Sequence, residues 1–267
     1  MKTELSIIVV AYNSEEEIGR LLTSIKKSPD KLTKEIIVID NASQDHSVDV
    51  VKNHPLQVNL IKSPVNIGFS KAVNLGIKQS VGDYVLLLNP DTRLIGSCLQ
   101  NLVSFASSHI PLGAVAPRLV HPNGRVQASI FHFPTIAGAI RFYFLDQPEY
   151  FGKYTPAHSP VQVDAAVMAA FLIPHSVVDR IGLLSEKFFM YYEDIEFCRR
   201  LKKAKLPVYY YAKAKVEHVH GASGKFTSHL NSPLARSSRI YHGALYSNVL
   251  NFILWIGQKW QKVTHPK

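Results

Sequence analysis

Cysteine is scarce in this chain. Cys98 and Cys198 are the two thiols among 267 residues, and neither stands in a CxxC or other disulfide-like spacing. A disulfide framework and a thiolate metal centre are thereby excluded as the basis of the fold, and a reducing, cytoplasmic compartment is the expected setting. Long apolar runs are missing as well, with no stretch of about 18 apolar residues, so no helix is expected to span a bilayer. The first apolar run, residues 5–11, is short, follows Glu4 and ends at Tyr12-Asn13 and three glutamates, which fits a buried strand and not a secretory signal. No GxGxxG follows that run and no GxxxxGK(S/T) occurs anywhere, which argues against a dinucleotide-binding Rossmann enzyme and a P-loop protein. Linkers rich in glycine, serine or charge are absent, as are internal repeats. Net acidity is absent too. The formal charge of +10 suits anionic partners such as nucleotide diphosphates or phospholipid headgroups. Nucleic acid is not expected, because the basic residues are scattered and no stacking motif accompanies them.

A hydrophobic content of 46% supports a sizeable core. Strands are expected at residues 5–11, 35–40, 57–61 and 84–88, where nearly every residue is apolar, as in strands covered on both faces. Helices separate them. Ser14 with Glu17 fits a capping box for the first, Ser43 or Gln44 opens the second, residues 66–79 carry the third, and residues 96–108 a fourth. This alternation predicts an α/β fold with a mostly parallel central sheet flanked by helices, and ligands at the carboxyl ends of the strands. Residues 113–134 read as two strands about an Asn123-Gly124 turn, the aromatic stretch through Pro160 as a loop or lid, residues 163–173 as one strand, and residues 208–218 as a late strand.

Two acidic signals carry chemistry. In Met190-Tyr191-Tyr192-Glu193-Asp194-Ile195-Glu196-Phe197-Cys198-Arg199-Arg200-Leu201, helical spacing buries Ile195, Cys198 and Leu201 and leaves the acids at the helix start. Earlier, Asp91 leaves a buried strand through Asn89-Pro90. An acid so placed either closes a turn or holds a hard divalent cation, Mg2+ or Mn2+, against a diphosphate. His218 and His220 share a strand face, either as structural residues or as completion of such a site.

Taken together, Ile8-Val9-Val10-Ala11-Tyr12-Asn13, Val38-Ile39-Asp40-Asn41-Ala42-Ser43-Gln44-Asp45, Asn66-Ile67-Gly68-Phe69, Asn89-Pro90-Asp91-Thr92 and Tyr192-Glu193-Asp194 resemble the inverting glycosyltransferases of family 2, which have the GT-A fold. Asn123-Gly124-Arg125 through Ser129, Phe133-Pro134-Thr135 and Glu217-His218-Val219-His220-Gly221-Ala222-Ser223 look most like bacterial rhamnosyltransferases. The resemblance implies that Ala11, Tyr12, Asn13, Asn66 and Gly68 line a nucleotide pocket and that Asp40 contacts the base. It further implies that Asp91 takes Mg2+ or Mn2+, with Asn89 where many relatives have an aspartate. Asp194 falls on the general base, with Glu193 before it, and Arg200 on an arginine that steadies a phosphate. The implied donor is a dTDP- or UDP-sugar, above all dTDP-rhamnose, and the acceptor a glycan or lipid-linked sugar of cell-surface polysaccharide. Two segments depart from the family pattern, Ala166 to Phe171 and Gly182-Leu183-Leu184-Ser185-Glu186.

The expected organisation is one GT-A domain over residues 1–232 and a helical tail over 233–267. In the tail, Leu245, Val249, Phe252, Ile256 and Trp260 recur at helical spacing with Arg236, Arg239, Lys259 and Lys262 at the ends. That pattern fits either an interfacial helix on the inner face of an anionic membrane or a helix packed on protein.

Overall fold

The computed structural model describes residues 2–147, 150–219 and 232–264. It begins with β1 (Leu5–Ala11), α1 (Glu15–Lys26), β2 (Lys34–Asp40), α2 (Ser47–Asn53), β3 (Asn59–Lys62), α3 (Phe69–Gln79) and β4 (Tyr84–Leu88). β1 lies between β2 and β4 and parallel to both, with Ala11 beside Asp40 and Val9 beside Leu88. β3 continues the parallel run beyond β2. The carboxyl ends of β1, β2 and β4 therefore finish at one edge, which brings the following residues Tyr12, Asn41 and Asn89 together, where an open α/β sheet binds ligands.

The remaining elements are β5 (Thr92–Ile95), α4 (Cys98–Ser108), β6 (Ala114–Val120), β7 (Ile130–Phe131), α5 (Ile136–Phe144), β8 (Lys153–Tyr154), β9 (Val161–Val163), β10 (Ala165–Ala166), β11 (Ala170–Pro174), α6 (His175–Ile181), α7 (Glu193–Lys203), β12 (Val208–His218), α8 (Pro233–His242) and α9 (Ala244–Thr264). The main sheet runs β3-β2-β1-β4-β11-β6-β12-β5, with β9 paired to β12, and a small sheet runs β10-β7-β8. β6 and β12 are parallel, whereas β11 opposes β4 and β6, and β5 and β9 oppose β12.

Alternate residues of β1 feed two cores. Leu5, Ile7 and Val9 pack with Ile18, Leu21 and Leu22 of α1 and Leu99 and Leu102 of α4 on one face. Ile8 packs with Ala72 and Ile77 of α3, Val177 of α6 and Phe197, Cys198 and Leu201 of α7 on the other. Each fully buried aliphatic side chain contributes roughly 1.5–3 kcal/mol. α3 lies close against the sheet because Gly76 has no side chain: a Cβ there would stand 2.6 Å from Ile8 Cγ2 and 2.8 Å from Ile39 Cδ1. Cys98 and Cys198 are buried free thiols, and burial pushes Cys98 up to about 12.

Several expectations are corrected. The capping box does not form, since Ser14 Oγ accepts no hydrogen bond. Instead the Glu15 N–H donates to Asp45 Oδ2 at 3.0 Å and the Ser14 N–H to Ser47 Oγ at 2.8 Å, so the loop before α2 caps α1. That use of the loop, with Ala42 left-handed at φ 67°, delays α2 to Ser47. α3 starts at Phe69 because Gly68, at φ 83°, is not helical. The Asn123-Gly124 turn closes a single bridge, Val120 to Val126, and β7 pairs with β8 and β10 instead of β6. The aperiodic stretch contains α5, capped by Thr135 Oγ1 accepting from the Gly138 N–H at 2.9 Å. The single strand of residues 163–173 is three. It breaks at Asp164, whose carboxylate turns to His132 and Lys202, and again at residues 167–169, where the chain passes from the small sheet to the large one.

The tail is two helices, parted at Gly243 with φ 82°. Both pack on protein. Ser237 Oγ donates to the Met190 carbonyl at 2.8 Å, Tyr241 packs on Tyr192, Leu250 is buried, and the Ile136 N–H donates to Tyr246 Oη at 3.0 Å. The opposite face of α9 stays open, with Leu245, Val249, Phe252, Trp255 and Trp260 exposed. Among the described residues no helix is long and apolar enough to cross a membrane.

Candidate active site

A cavity of about 520 Å³ lies at the strand-end edge. Tyr12, Asn41, Asn66, Gly68 and Asn89 form one part of its lining, and Phe131, Lys153, Tyr191, Glu193 and Asp194 another. The first part is tied together by its own polar groups. Asn41 Nδ2 donates to Asn66 Oδ1 at 3.0 Å, Asn41 Oδ1 accepts from the Ile67 N–H at 2.9 Å, and Asn66 Oδ1 accepts from the Gly68 N–H at 3.0 Å. Gly68 has a second duty. The Phe69 N–H donates to the Phe189 carbonyl at 2.7 Å, and a Cβ on Gly68 would stand 2.6 Å from that oxygen. The glycine thus lets the segment before α7 close onto the start of α3.

That segment enters α7 through two left-handed residues, Tyr191 at φ 70° and Tyr192 at φ 67°. Bulky side chains rarely adopt this conformation, which costs about 1–3 kcal/mol per residue and persists where surrounding contacts enforce it. Here the contacts are the Phe69–Phe189 bond, the Ser237–Met190 bond and the packing of Tyr192 on Tyr241. Their result is that Glu193 and Asp194 begin the helix facing the cavity.

Both carboxyls are raised above the ordinary range. Burial is the chief cause for Glu193, 7% exposed, and the adjoining Asp194 charge adds to it. Glu193 Oε2 has no hydrogen-bond partner among the described residues. Burial also raises Asp194, opposed by the Ile195 N–H, which donates to its Oδ1 at 2.8 Å, and by the positive field of Lys153. A carboxylate raised in this way in a cavity has the properties of a general base.

Asn89-Pro90-Asp91 forms a turn closed by Thr92, whose Oγ1 donates to the Asn89 carbonyl at 2.6 Å. The Val219 N–H donates to the Asp91 carbonyl at 2.9 Å and fixes the end of β12 beside it. His218 Nε2 lies 3.5 Å from Asp91 Oδ1, a buried oxygen that accepts no hydrogen bond. On its other side His218 Nδ1 stands 2.8 Å from Gln127 Oε1, so the ring is held between Gln127 and Asp91. The buried Asp91 Oδ1 lacks a hydrogen-bond partner, and a carboxylate oxygen with an imidazole nearby is a donor set that fits a divalent cation such as Mn2+. Among the described residues no third His, Cys, Asp or Glu joins them. His220 lies outside the described residues.

Tyr12, Asn66, Gly68, Asn89, Glu193 and Asp194 therefore meet at one cavity, while Ala11, Asn13, Asp40, Asp91 and His218 do not line it. Ala11 is buried in the sheet, Asp40 is buried with Oδ1 accepting from the Ser43 N–H at 3.3 Å, and Asn13 Oδ1 accepts from the Gln44 N–H at 2.8 Å. Arg200, expected beside a phosphate, does not line the cavity. Its guanidinium donates to Glu196 and to the carbonyls of Ile181, Gly182 and Leu183, which fastens that loop to α7 away from the cavity. Asn41, His132 and Lys153 line the cavity without having been expected. The polar strand end Asp40-Asn41 is a usable signal for the first; His132 falls in an expected strand with no sign of a site, and Lys153 in the stretch without a clear period.

Residues 6–165 match the profile of glycosyl transferase family 2, and the chain belongs to that family. It is 31% identical over 212 residues to the low-salt glycan biosynthesis hexosyltransferase Agl10 of Haloferax volcanii, covering 78% of this chain and 64% of that relative. It is 24% identical over 250 residues to the N-acetylglucosaminyl-diphospho-decaprenol L-rhamnosyltransferase of Mycobacterium tuberculosis, covering 86% of this chain and 81% of the relative. Its fold resembles that of GalNAc-T7 crystallised with UDP, GalNAc and Mn2+, at a TM-score of 0.66 and 15% identity, over 90% of this chain and 48% of the other. The GT-A fold is thus common to this chain and its structural neighbours.

The raised Glu193 makes stability depend on pH. Between the ordinary carboxylate range and its own raised value, the folded chain holds a proton that the unfolded chain has released, so stability falls as pH rises through that window. Glu193→Gln should melt roughly 2–5 °C above the unaltered chain at about pH 8, and the gap should close near about pH 5. A difference in Tm that stays constant across that range would contradict the burial of an ionisable Glu193.

Proposed function

We propose that this chain is an inverting glycosyltransferase that moves a sugar, L-rhamnose from dTDP-rhamnose, onto a glycan or lipid-linked acceptor in cell-surface polysaccharide synthesis. The observation that carries the reading is the single cavity in which Tyr12, Asn66 and Asn89 face the raised carboxylate Asp194. The rhamnosyltransferase name of the mycobacterial relative supports the sugar, and its diphospho-decaprenol substrate supports a lipid-linked acceptor.

On this reading Asp194 takes the proton of the acceptor hydroxyl as its oxygen attacks the anomeric carbon. The bond from that carbon to the diphosphate breaks on the opposite side, and its electron pair leaves with the nucleotide, so no covalent enzyme intermediate is required. Glu193, protonated beside Asp194, avoids placing a second negative charge against the base. Tyr12, Asn41 and Asn66 position the nucleotide. Asp91 and His218 would hold a divalent cation, Mn2+ or Mg2+, which when bound neutralises charge on the diphosphate.

Asp194→Asn should keep nucleotide binding and lower transfer by about two to four orders of magnitude. Asp91→Ala should remove the metal stimulation of nucleotide binding, measured by calorimetry with Mn2+ and with chelator. Near-normal transfer by Asp194→Asn, or equal nucleotide affinity of the unaltered chain with and without metal, would sink the respective role. A thermal-shift comparison of dTDP- and UDP-sugars tests the donor.

The open face of α9 supports a second element of the proposal, attachment to the inner face of an anionic membrane. Its exposed Phe252, Trp255 and Trp260, the Lys259 ammonium 4.2 Å above the Trp255 ring and the net charge of +10 match an interfacial helix. The chain should float with phosphatidylglycerol vesicles at low salt. Replacing Phe252 and Trp255 by serine should release it while nucleotide binding persists, and undiminished flotation of that variant would exclude α9 as the anchor.

A further inference from the structure

The cavity contains one charge with no part in the chemistry above. Lys153 opens β8 opposite Phe131 on β7, and its ammonium stands 5.6 Å from the centre of the Phe131 ring. It is the sole lysine or arginine among the described residues lining the cavity. The residue is exposed, and its ammonium makes no ion pair among the described residues. Asp194 is near enough for its charge to be felt without contact: although the residue keeps surface open to solvent, the protein walls around the ammonium displace part of its water and lower it below its ordinary value, and the Asp194 charge offsets part of that. An accessible, unpaired cation beside the proposed base is placed to meet an anion on the acceptor side.

The surroundings narrow what carries that anion. Phe131, Pro134, Phe151 and Leu234 line the same cavity. α5 follows Pro134 after a single residue and exposes Ile140 and Phe144, with Leu145 just beyond. α5 in turn packs on α9, where Phe144 lies 6.3 Å from Trp260 between ring centres. Apolar surface therefore leads from the lysine to the open face of α9.

We propose that Lys153 is the phosphate receptor for the acceptor: its ammonium, set between Phe131 and the base, binds a phosphate carried beside the accepting sugar on an apolar chain. This deepens the transferase reading and rests on it. The donor diphosphate offers the same chemistry from another source, but Asp91 and His218 provide for it elsewhere, so loss of Lys153 should leave nucleotide affinity unchanged.

Calorimetry on the full chain, saturated with Mn2+ and dTDP or UDP, separates the two sources. Octyl diphosphate is the anionic probe and octyl glucoside the neutral one. Octyl diphosphate should bind the unaltered chain, bind Lys153→Gln at least ten-fold more weakly, and recover most of its affinity in Lys153→Arg, whereas octyl glucoside should not distinguish the three. Equal binding of octyl diphosphate to the unaltered chain and to Lys153→Gln would overturn the proposal. So would a Lys153→Gln chain that loses nucleotide affinity instead, since that assigns the lysine to the donor. A chain that binds neither nucleotide would sink the transferase reading itself, and the acceptor role with it.

Discussion

The left-handed pair Tyr191 and Tyr192 is the constraint on which the site depends. Two aromatic residues at positive φ are stable only when neighbours hold them, and here the neighbours come from distant parts of the chain. Gly68 admits the Phe189 carbonyl to the start of α3, and α8 bonds Met190 through Ser237 and packs Tyr241 on Tyr192. The pair sets the direction in which the chain enters α7, and Glu193 and Asp194 follow it directly at the cavity wall. The tail is in this sense a brace for the carboxylates, although one face of α9 remains open to a second role.

Electrostatics at the cavity follows from the same geometry. Acids at a helix start are ordinarily eased by the helix dipole, yet burial beside one another raises both Glu193 and Asp194. Lys153 partly offsets this at Asp194, and the Ile195 N–H does so directly. Asp91, by contrast, meets the His218 imidazole, whose Nε2 lies 3.5 Å from its Oδ1 at the end of β12. The proposed displacement of a diphosphate calls for a base and a divalent cation, the roles proposed for Asp194 and for Asp91 with His218.

Much of this was legible in the sequence. β1, β4 and β12 have the bounds their apolar runs predict, because strands covered on both faces carry burial in their own residues. The same holds for Ile195, Cys198 and Leu201, which bury at helical spacing. What escaped depends on partners remote in the chain. Ser14 reads as a capping box, but Asp45 and Ser47 take over its task, and nothing near Arg200 in sequence shows that three carbonyls of the residue 181–183 loop hold its guanidinium. The break at Asp164 is hidden for the same reason, since His132 and Lys202 draw its side chain away. Lys153 and His132 reach the cavity through a three-stranded sheet of two-residue strands, too short to leave a period in the sequence.

The central claim is that Asp194 acts as a base in a single displacement at the anomeric carbon. The most direct measurement is the anomeric configuration of the transferred sugar, followed by proton NMR as dTDP-rhamnose is consumed in transfer or in slower hydrolysis. One displacement with Asp194 as base yields the configuration opposite to that of the donor. A product that first appears with the donor's own configuration would require a second displacement through a nucleophile, and would contradict the role given to Asp194.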